Sequence, residues 1–179
     1  MHKFSALRTS LLLLNLDRNQ LSDLNGVSTL THLQSLSVSH NKVFNLSGLT
    51  ALTSLRYLNV SDNRLTSTAE LVALPQITEL DVSGNQLTDL EAIPSLKRLS
   101  ILRAGRNNIA VIEPLAKLGE IIELDLSGNR ITDISPLADF HRLQRINLDN
   151  NEIVDVSPLE NLGEVETLSI RGNPHLDCA

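Results

Sequence analysis

The stretch Ile121-Ile122-Glu123-Leu124-Asp125-Leu126-Ser127-Gly128-Asn129-Arg130-Ile131 decides the fold. Leu124 and Leu126 alternate with Glu123, Asp125 and Ser127, which reads as a short strand with one buried face. Ile131 follows a turn, and Asn129 suits that turn because its side-chain amide can both donate and accept where the chain bends. The same frame returns at intervals of 22 residues, as in Ile77-x-x-Leu80-x-Val82-x-x-Asn85-x-Leu87. The asparagines keep the phase without a slip: Asn19, Asn41, Asn63, Asn85, Asn107, Asn129, Asn151 and Asn173. A unit this short cannot bury its apolar face alone, so the period predicts stacked repeats.

Each unit carries further aliphatics after the strand, for example Ile134, Leu137 and Phe140 before Leu143. Ser135-Pro136 and Ser157-Pro158 predict an N-cap followed by proline at the first helical position, and Glu113-Pro114 is the same device without the hydroxyl. Ser67-x-x-Glu70 predicts a capping box and a slightly longer helical turn in the third unit, where Thr68 replaces the usual aliphatic. These segments are expected to be 3₁₀ turns or single helical turns.

The pattern L-x-x-L-x-L-x-x-N-x-L, repeated through nearly the whole chain, resembles the leucine-rich repeat family. Outer segments such as Thr132-Asp133-Ile134-Ser135-Pro136-Leu137 resemble its short 22-residue subclass, which includes bacterial internalins and the leucine-rich regulatory subunit of protein phosphatase 1. The resemblance implies an α/β solenoid of eight units, with residues 1–10 as a short leading segment and 11–179 as the solenoid, its last repeat incomplete or degenerate. A parallel sheet would line the concave side, with the 3₁₀ or short helical turns on the convex side. At about 4.8 Å per strand, eight units span about 38 Å. The resemblance also implies a non-catalytic module that binds a protein partner on the concave face, with the eight asparagines as scaffold. A structural spacer or assembly element without a specific concave ligand is the alternative.

Composition fits identical layers. Of 179 residues 41% are hydrophobic but only 2% aromatic, and leucine is about a fifth of the chain. Repeated aliphatic layers leave no irregular gaps for rings to fill. Ala104 is the exception, standing where other units have Val82 and Leu126, and with Gly105 it predicts a small cavity or pinch. A net charge of −6 lacks the basic footprint of a nucleic-acid binder or of a segment held at an anionic membrane surface. The apolar share is too high for a disordered chain. The single cysteine, Cys178, permits no internal disulfide. No apolar stretch approaches the ~20 residues of a membrane span. Met1-His2-Lys3 before Leu11-Leu12-Leu13-Leu14 looks superficially like a secretory signal, but Asn15, Asp17 and Arg18 break the run and no small-residue cleavage site follows. That makes the cytoplasm the default compartment, with the cell surface or secretion expected for an excised internalin-like domain.

Outward-facing strand positions would carry specificity. One column runs Leu13, Ser35, Tyr57, Glu79, Ile101, Glu123, Arg145, Thr167; the next runs Asn15, Ser37, Asn59, Asp81, Arg103, Asp125, Asn147, Ser169. Arg103 falls between Asp81 and Asp125, with Glu79 and Glu123 one pleat away, and Tyr57 and Ile101 are expected to be exposed beside them. This anchor-and-rim pattern marks a docking face centred on Tyr57, Glu79, Asp81, Ile101, Arg103, Glu123, Asp125 and Arg145. A solvated sheet with cross-strand pairs of about 0.2–1 kcal/mol each is the competing reading.

Other constellations are weak. Asp81-Val82-Ser83-Gly84-Asn85 lacks the distal glutamate of a calcium loop. The histidines His2, His32, His40, His141 and His175 share no ligand-like spacing, so no metal or other cofactor is expected. His40 falls near Ser39 and Asp17, yet a shallow sheet offers no oxyanion hole or enclosed pocket, so no catalytic residue is assigned. Asn45-x-Ser47 and Asn59-x-Ser61 match the glycosylation acceptor pattern, meaningful only in a secretory pathway. The terminal units lack evident caps, which implies either flanking domains of a longer chain or ends that pack on a partner or a second copy.

Overall fold

The computed structural model describes residues 9–176. Eight three-residue strands form one parallel sheet in chain order: β1 (Leu13–Asn15), β2 (Ser35–Ser37), β3 (Tyr57–Asn59), β4 (Glu79–Asp81), β5 (Ile101–Arg103), β6 (Glu123–Asp125), β7 (Arg145–Asn147) and β8 (Thr167–Ser169). Register follows the sequence period, so that Leu36 lies beside Leu58 and Arg103 beside Asp125. Between strands the chain makes 3₁₀ turns at Asn25–Val27, Ser47–Leu49, Ala69–Ala73, Ile93–Ser95, Glu113–Lys117, Ser135–Leu137 and Ser157–Leu159. Among the described residues none of these lengthens into an α-helix. The third unit does hold a longer turn, of five residues, and so does the fifth.

How the turns open differs from the sequence expectation. The Ser135 backbone N–H donates to Asp133 Oδ1 at 2.8 Å, and its hydroxyl donates to Asp133 Oδ2 at 3.0 Å. Asp155 and Ser157 repeat this, with both bonds at 2.8 Å. The serines thus start the turns and the aspartates two residues ahead do the capping, which moves the proline to the second place. Asn45 serves Ser47 in the same way, at 3.1 Å. Ser67 accepts from the Ala69 N–H at 3.1 Å, an i+2 turn bond in place of a capping box.

Among the described residues the core is one aliphatic cluster running from Leu24 to Ile153, with Phe140 as its only ring. Each fully buried leucine contributes about 1.5–3 kcal/mol relative to exposure. Ala104 is fully buried, and the backbone ladder passes it as it passes Val82, each N–H bonding the next unit at 2.8 Å.

The asparagines tie units together. Asn85 donates to Val82 O and Ser83 O in its own turn and to Val60 O in the unit before, at 3.0 to 3.2 Å. Its Oδ1 accepts from the Leu65 N–H of that preceding unit at 2.9 Å. The residue just before each asparagine has positive φ: Arg18, His40, Asp62, Gly84, Arg106, Gly128, Asn150 and Gly172. Five of these are not glycine, so the turn holds a left-handed conformation that side chains rarely adopt.

At the ends the layers open. Leu14, Leu16 and Leu21 are only partly buried, as are Leu159, Leu162, Val165 and Ile170. Leu168, on the inward side of β8, is 47% exposed. Leu13 and Leu14 belong to β1, so the repeat accounts for the leading leucines. The segment 1–8 and Cys178 lie outside the described residues.

Candidate functional site

Strand alternation points the middle residue of each strand into the core and the outer two onto the open sheet face, as the buried Leu80 between half-buried Glu79 and Asp81 shows. All eight candidate residues lie on that face, but they divide into two groups with different roles.

Asp81 and Asp125 do not flank Arg103 as ion-pair partners. Asp81 Oδ1 accepts from the Ser83 N–H at 3.0 Å and from the Ser83 hydroxyl, and Asp125 Oδ1 accepts from the Ser127 N–H at 2.9 Å. Asn15, Asn59 and Asn147 hold the same bond in their own units, at 2.8 to 3.1 Å. The column is therefore a row of Asx turns closing the strand ends. In the second and eighth units, where Ser37 and Ser169 hold that place, the unit before supplies the acceptor. Asp17 reaches Ser37 and the Ser39 N–H, and Asp149 reaches Ser169 and the Arg171 N–H.

Arg103 takes the diagonal glutamates. Its Nη1 lies 2.7 Å from Glu79 Oε1 and its Nη2 lies 2.6 Å from Glu123 Oε1. Glu123 Oε2 meets Arg145 Nη2 at 3.0 Å, and Arg145 Nη1 stands 3.8 Å from Glu166. Charge alternates along this chain across β4 to β7. Counting Asp81 and Asp125, four carboxylates face Arg103 and Arg145, a local balance of 2 − 4 = −2. The excess of negative charge is real, though spread along a row and not gathered around one guanidinium.

The titrating groups follow from these contacts. Burial disfavours the charge on Arg103, but the Glu79 bond and the field of Glu123 outweigh it and raise its pKa above the ordinary value. Burial pushes Glu123 up, and the Arg145 bond with the field of Arg103 reverses this and leaves it below the usual carboxylate range. Asp149 is lowered first by the Ser169 hydroxyl. Burial opposes ionisation of Asp17, but the Ser37 and Ser39 bonds hold it low.

Tyr57 and Ile101 are half-buried, not exposed, and Glu79 stands between them in register. The aromatic and the aliphatic anchors are therefore separate spots on either side of a carboxylate. Towards β8 the face forms a shallow groove lined by Arg103, Glu123, Asp125, Arg145, Thr167 and Arg171.

His40 turns away from Ser39 and Asp17: its Nε2 lies 3.6 Å from Asp62 Oδ2, while Arg106 Nη2 meets Asp62 Oδ1 at 3.1 Å. Gly84 makes that second contact possible, since a Cβ there would overlap the Asp62 carboxylate. Sequence reasoning missed this edge cluster; the signal was three glycines, Gly84, Gly128 and Gly172, in the column directly ahead of the asparagines. Among the described residues no group of three or more His, Cys, Asp or Glu is placed to hold a metal ion, and no helix is long and apolar enough to cross a membrane.

Compared with known proteins, the chain matches the family described as Leucine Rich repeats (2 copies) over residues 53–95 and 119–161, and a further Leucine Rich repeat family over residues 29–53. Its structure is similar to that of internalin C2 of Listeria monocytogenes, at 33% identity and a TM-score of 0.79, over 88% of this chain and 71% of that one. An internalin (inlF) of the same organism is 28% identical with a TM-score of 0.85, over 87% of this chain and 46% of that one. A leucine-rich repeat protein of Leptospira interrogans is 26% identical with a TM-score of 0.84, over 89% of this chain and 42% of that one. The chain thus spans less than half the length of two of these three. No curated protein sequence matches it.

Proposed function

Because the chain belongs to the leucine-rich repeat family, a module typically used in protein binding, we propose that it is a non-catalytic binding module that takes a protein partner on its sheet face. The observation that carries this is the row Glu79–Arg103–Glu123–Arg145, bonded across four strands and flanked by half-buried Tyr57 and Ile101. Alternating fixed charges give register to a partner, and the two apolar spots give it anchors. Asp81 and Asp125 frame the site by holding its turns, so Tyr57, Glu79, Ile101, Arg103, Glu123 and Arg145 are the residues that meet the partner.

The test is capture on the immobilised chain. Wild type and the double variant Tyr57→Ala/Arg145→Glu are exposed to the same protein extract, and retained proteins are quantified by mass spectrometry. Both side chains leave the strand ladder intact, so unfolding curves of the two should coincide within about 1 kcal/mol. Proteins held by wild type and lost from the variant support the reading; identical retention refutes it.

A further inference from the structure

One long side of the stack differs in charge from the rest of the molecule. In units two to six the residue two places after each ladder asparagine is buried: Val43, Leu65, Leu87, Ile109 and Ile131. Its neighbours before and after it therefore turn outward, and together with the residue just ahead of the asparagine they make up this side. These fifteen positions hold Lys42, Arg64, Arg106 and Arg130 against the single carboxylate of Asp62, a balance of 4 − 1 = +3 with His40 neutral. The whole chain carries −6, so everything else sums to −9. All four cations are exposed. Among the described residues Lys42, Arg64 and Arg130 have no ion-pair partner. Lys42 Nζ reaches the Gln20 amide at 3.5 Å and Arg130 Nη2 the Asn108 amide at 3.4 Å, both neutral. Arg106 is laid along the row: its side chain crosses Gly84 of the preceding unit to meet Asp62 at 3.1 Å, yet stays 66% exposed. Gly84 and Gly128 flank it in its own column, so no side chain stands in front of the guanidinium there. Beside Lys42 an aromatic ring, Phe44, is 58% exposed.

We propose that this side binds an extended acidic segment of a partner protein, running along the stack with an apolar residue packed on Phe44. Length and charge fix the choice. Units two to six span four strand spacings, about 19 Å at ~4.8 Å each, which an extended segment of about six residues covers at ~3.3 Å per residue. With carboxylates at about three or four of its positions such a segment matches the +3 of the row, and the arginine forks suit carboxylates in particular. A nucleic-acid duplex is a poor match, because the same ~19 Å carries about eleven phosphates. The surplus would fall against acidic columns on both flanks, Asp81 and Asp125 towards the sheet face and Asp89 and Asp133 towards the turns. Those flanking carboxylates restrict the ligand to a single file. Phe44 asks for an apolar side chain, which a peptide supplies and a phosphodiester or sulfated polysaccharide does not.

The row lies off the sheet face, so it stands or falls apart from the partner-binding reading given above. The test is fluorescence anisotropy with a labelled peptide of one leucine followed by five glutamates, in 0.15 M salt, where charges beyond about 8 Å are screened. Saturable binding to the wild-type chain is expected, and none of the matching leucine–lysine peptide. Arg64→Glu/Arg130→Glu is expected to weaken binding about tenfold or more, and the milder Arg64→Gln/Arg130→Gln by less. Circular dichroism confirms that each pair keeps the wild-type spectrum. Lys97→Glu/Arg98→Glu changes the net charge equally at exposed positions away from the row, and should stay within about twofold of wild type. Tyr57→Ala/Arg145→Glu on the sheet face should do the same. Phe44→Ser is expected to weaken the leucine peptide and leave its serine counterpart unchanged. Absence of binding to wild type overturns the proposal. So do equal losses in the two charge-reversed pairs, which would make net charge responsible and not the row. Loss with Tyr57→Ala/Arg145→Glu overturns it in favour of the sheet face. Tighter binding of a single-stranded oligonucleotide or a heparin fragment of the same charge overturns it in favour of a polyanion.

Discussion

Asn107→Ala tests whether the asparagines are ties between units or merely turn formers. Asn107 donates to Val82 O, Ala104 O and Gly105 O at 3.1 to 3.2 Å and accepts from the Leu87 N–H at 3.0 Å. Each of those carbonyls keeps another donor after the substitution: Asn85 for Val82, Asn129 for Ala104, and the Gly84 N–H for Gly105. The Leu87 N–H keeps none of the bonds shown and lies in the buried core. Orphaning it costs about 1–3 kcal/mol, and weakening three carbonyls adds about 0.5 kcal/mol each, so about 2.5–4.5 kcal/mol in all. Asn19→Ala removes two exposed bonds within one turn and orphans no buried group, so about 0.5–1 kcal/mol is expected. Urea denaturation of both variants, read as midpoint times slope, measures the difference. A gap of about 1.5 kcal/mol or more is expected. Equal losses would refute the tie between units and leave the asparagines as local turn formers. Asn107→Asp adds a signed control. Its second oxygen would face carbonyls, so the carboxyl's folded pKa would lie above the ordinary ~3.9. The penalty is then present at neutral pH and shrinks against wild type as pH falls through that raised value.

Two further outcomes rest on separate contacts. Gly26 and Gly48 occupy the same place in successive units, yet a Cβ at Gly26 meets nothing, while one at Gly48 would overlap the Leu24 carbonyl and lie 2.7 Å from Asn25 N. Gly26→Ala is expected to be neutral or to stabilise by about 0.4–1 kcal/mol, and Gly48→Ala to destabilise by about 2–3 kcal/mol, since backbone cannot give way; thermal melts would show the order reversed if this packing is wrong. Glu123, Asp149 and Asp17 are all held below the usual carboxylate range, so their stabilising effect is complete above about pH 5 and is lost as pH falls through the lowered values. Glu123→Gln is expected to flatten stability against pH on the acid side and leave the neutral plateau flat. An unchanged acid limb would mean that the row of ion pairs contributes nothing.

What the sequence disclosed and what it hid follow from the range of each interaction. The strands, their register and the ladder asparagines were legible because stacking forces every unit to repeat them, as Leu58, Leu80 and Leu102 do. Which residues share the sheet face was legible as columns, since register alone fixes which residues are neighbours. Which neighbour each charge chooses was not. Asp81 and Asp125 look like partners for Arg103, yet a carboxylate two residues from an open backbone N–H closes locally, and the longer glutamates reach the guanidinium on the diagonal. The same competition misassigned the caps: Ser135 looked like the acceptor, and Asp133 was the stronger one. Tyr57 and Ile101 were placed on the right face, but their half-burial depends on neighbouring side chains that a column reading does not weigh.

The fifth unit departs from the repeat in several ways at once, and that concentration argues for a role. Arg103 stands where five other units have an Asn or Asp turn acceptor, Gly105 where most have serine or aspartate, Ala104 where others have a larger aliphatic, and Val111 where a capping Asp or Asn is usual. A unit selected for stability alone would keep the acceptor, because it satisfies a backbone N–H at no packing cost. Giving it up releases a long cation onto the sheet face, where it joins Glu79 to Glu123. Arg103→Asn should therefore trade one function for the other. It loses the two ion pairs but regains the Asx bond, to the Gly105 N–H, that Asn59 makes to Ser61 at 2.9 Å. Arg103→Leu loses the pairs and regains nothing. Arg103→Asn is expected to be the more stable of the two by about 1 kcal/mol, the net contribution of one such bond. If Arg103→Leu were as stable as Arg103→Asn, no turn acceptor would have been given up at this position, and Arg103 would be an ordinary surface charge.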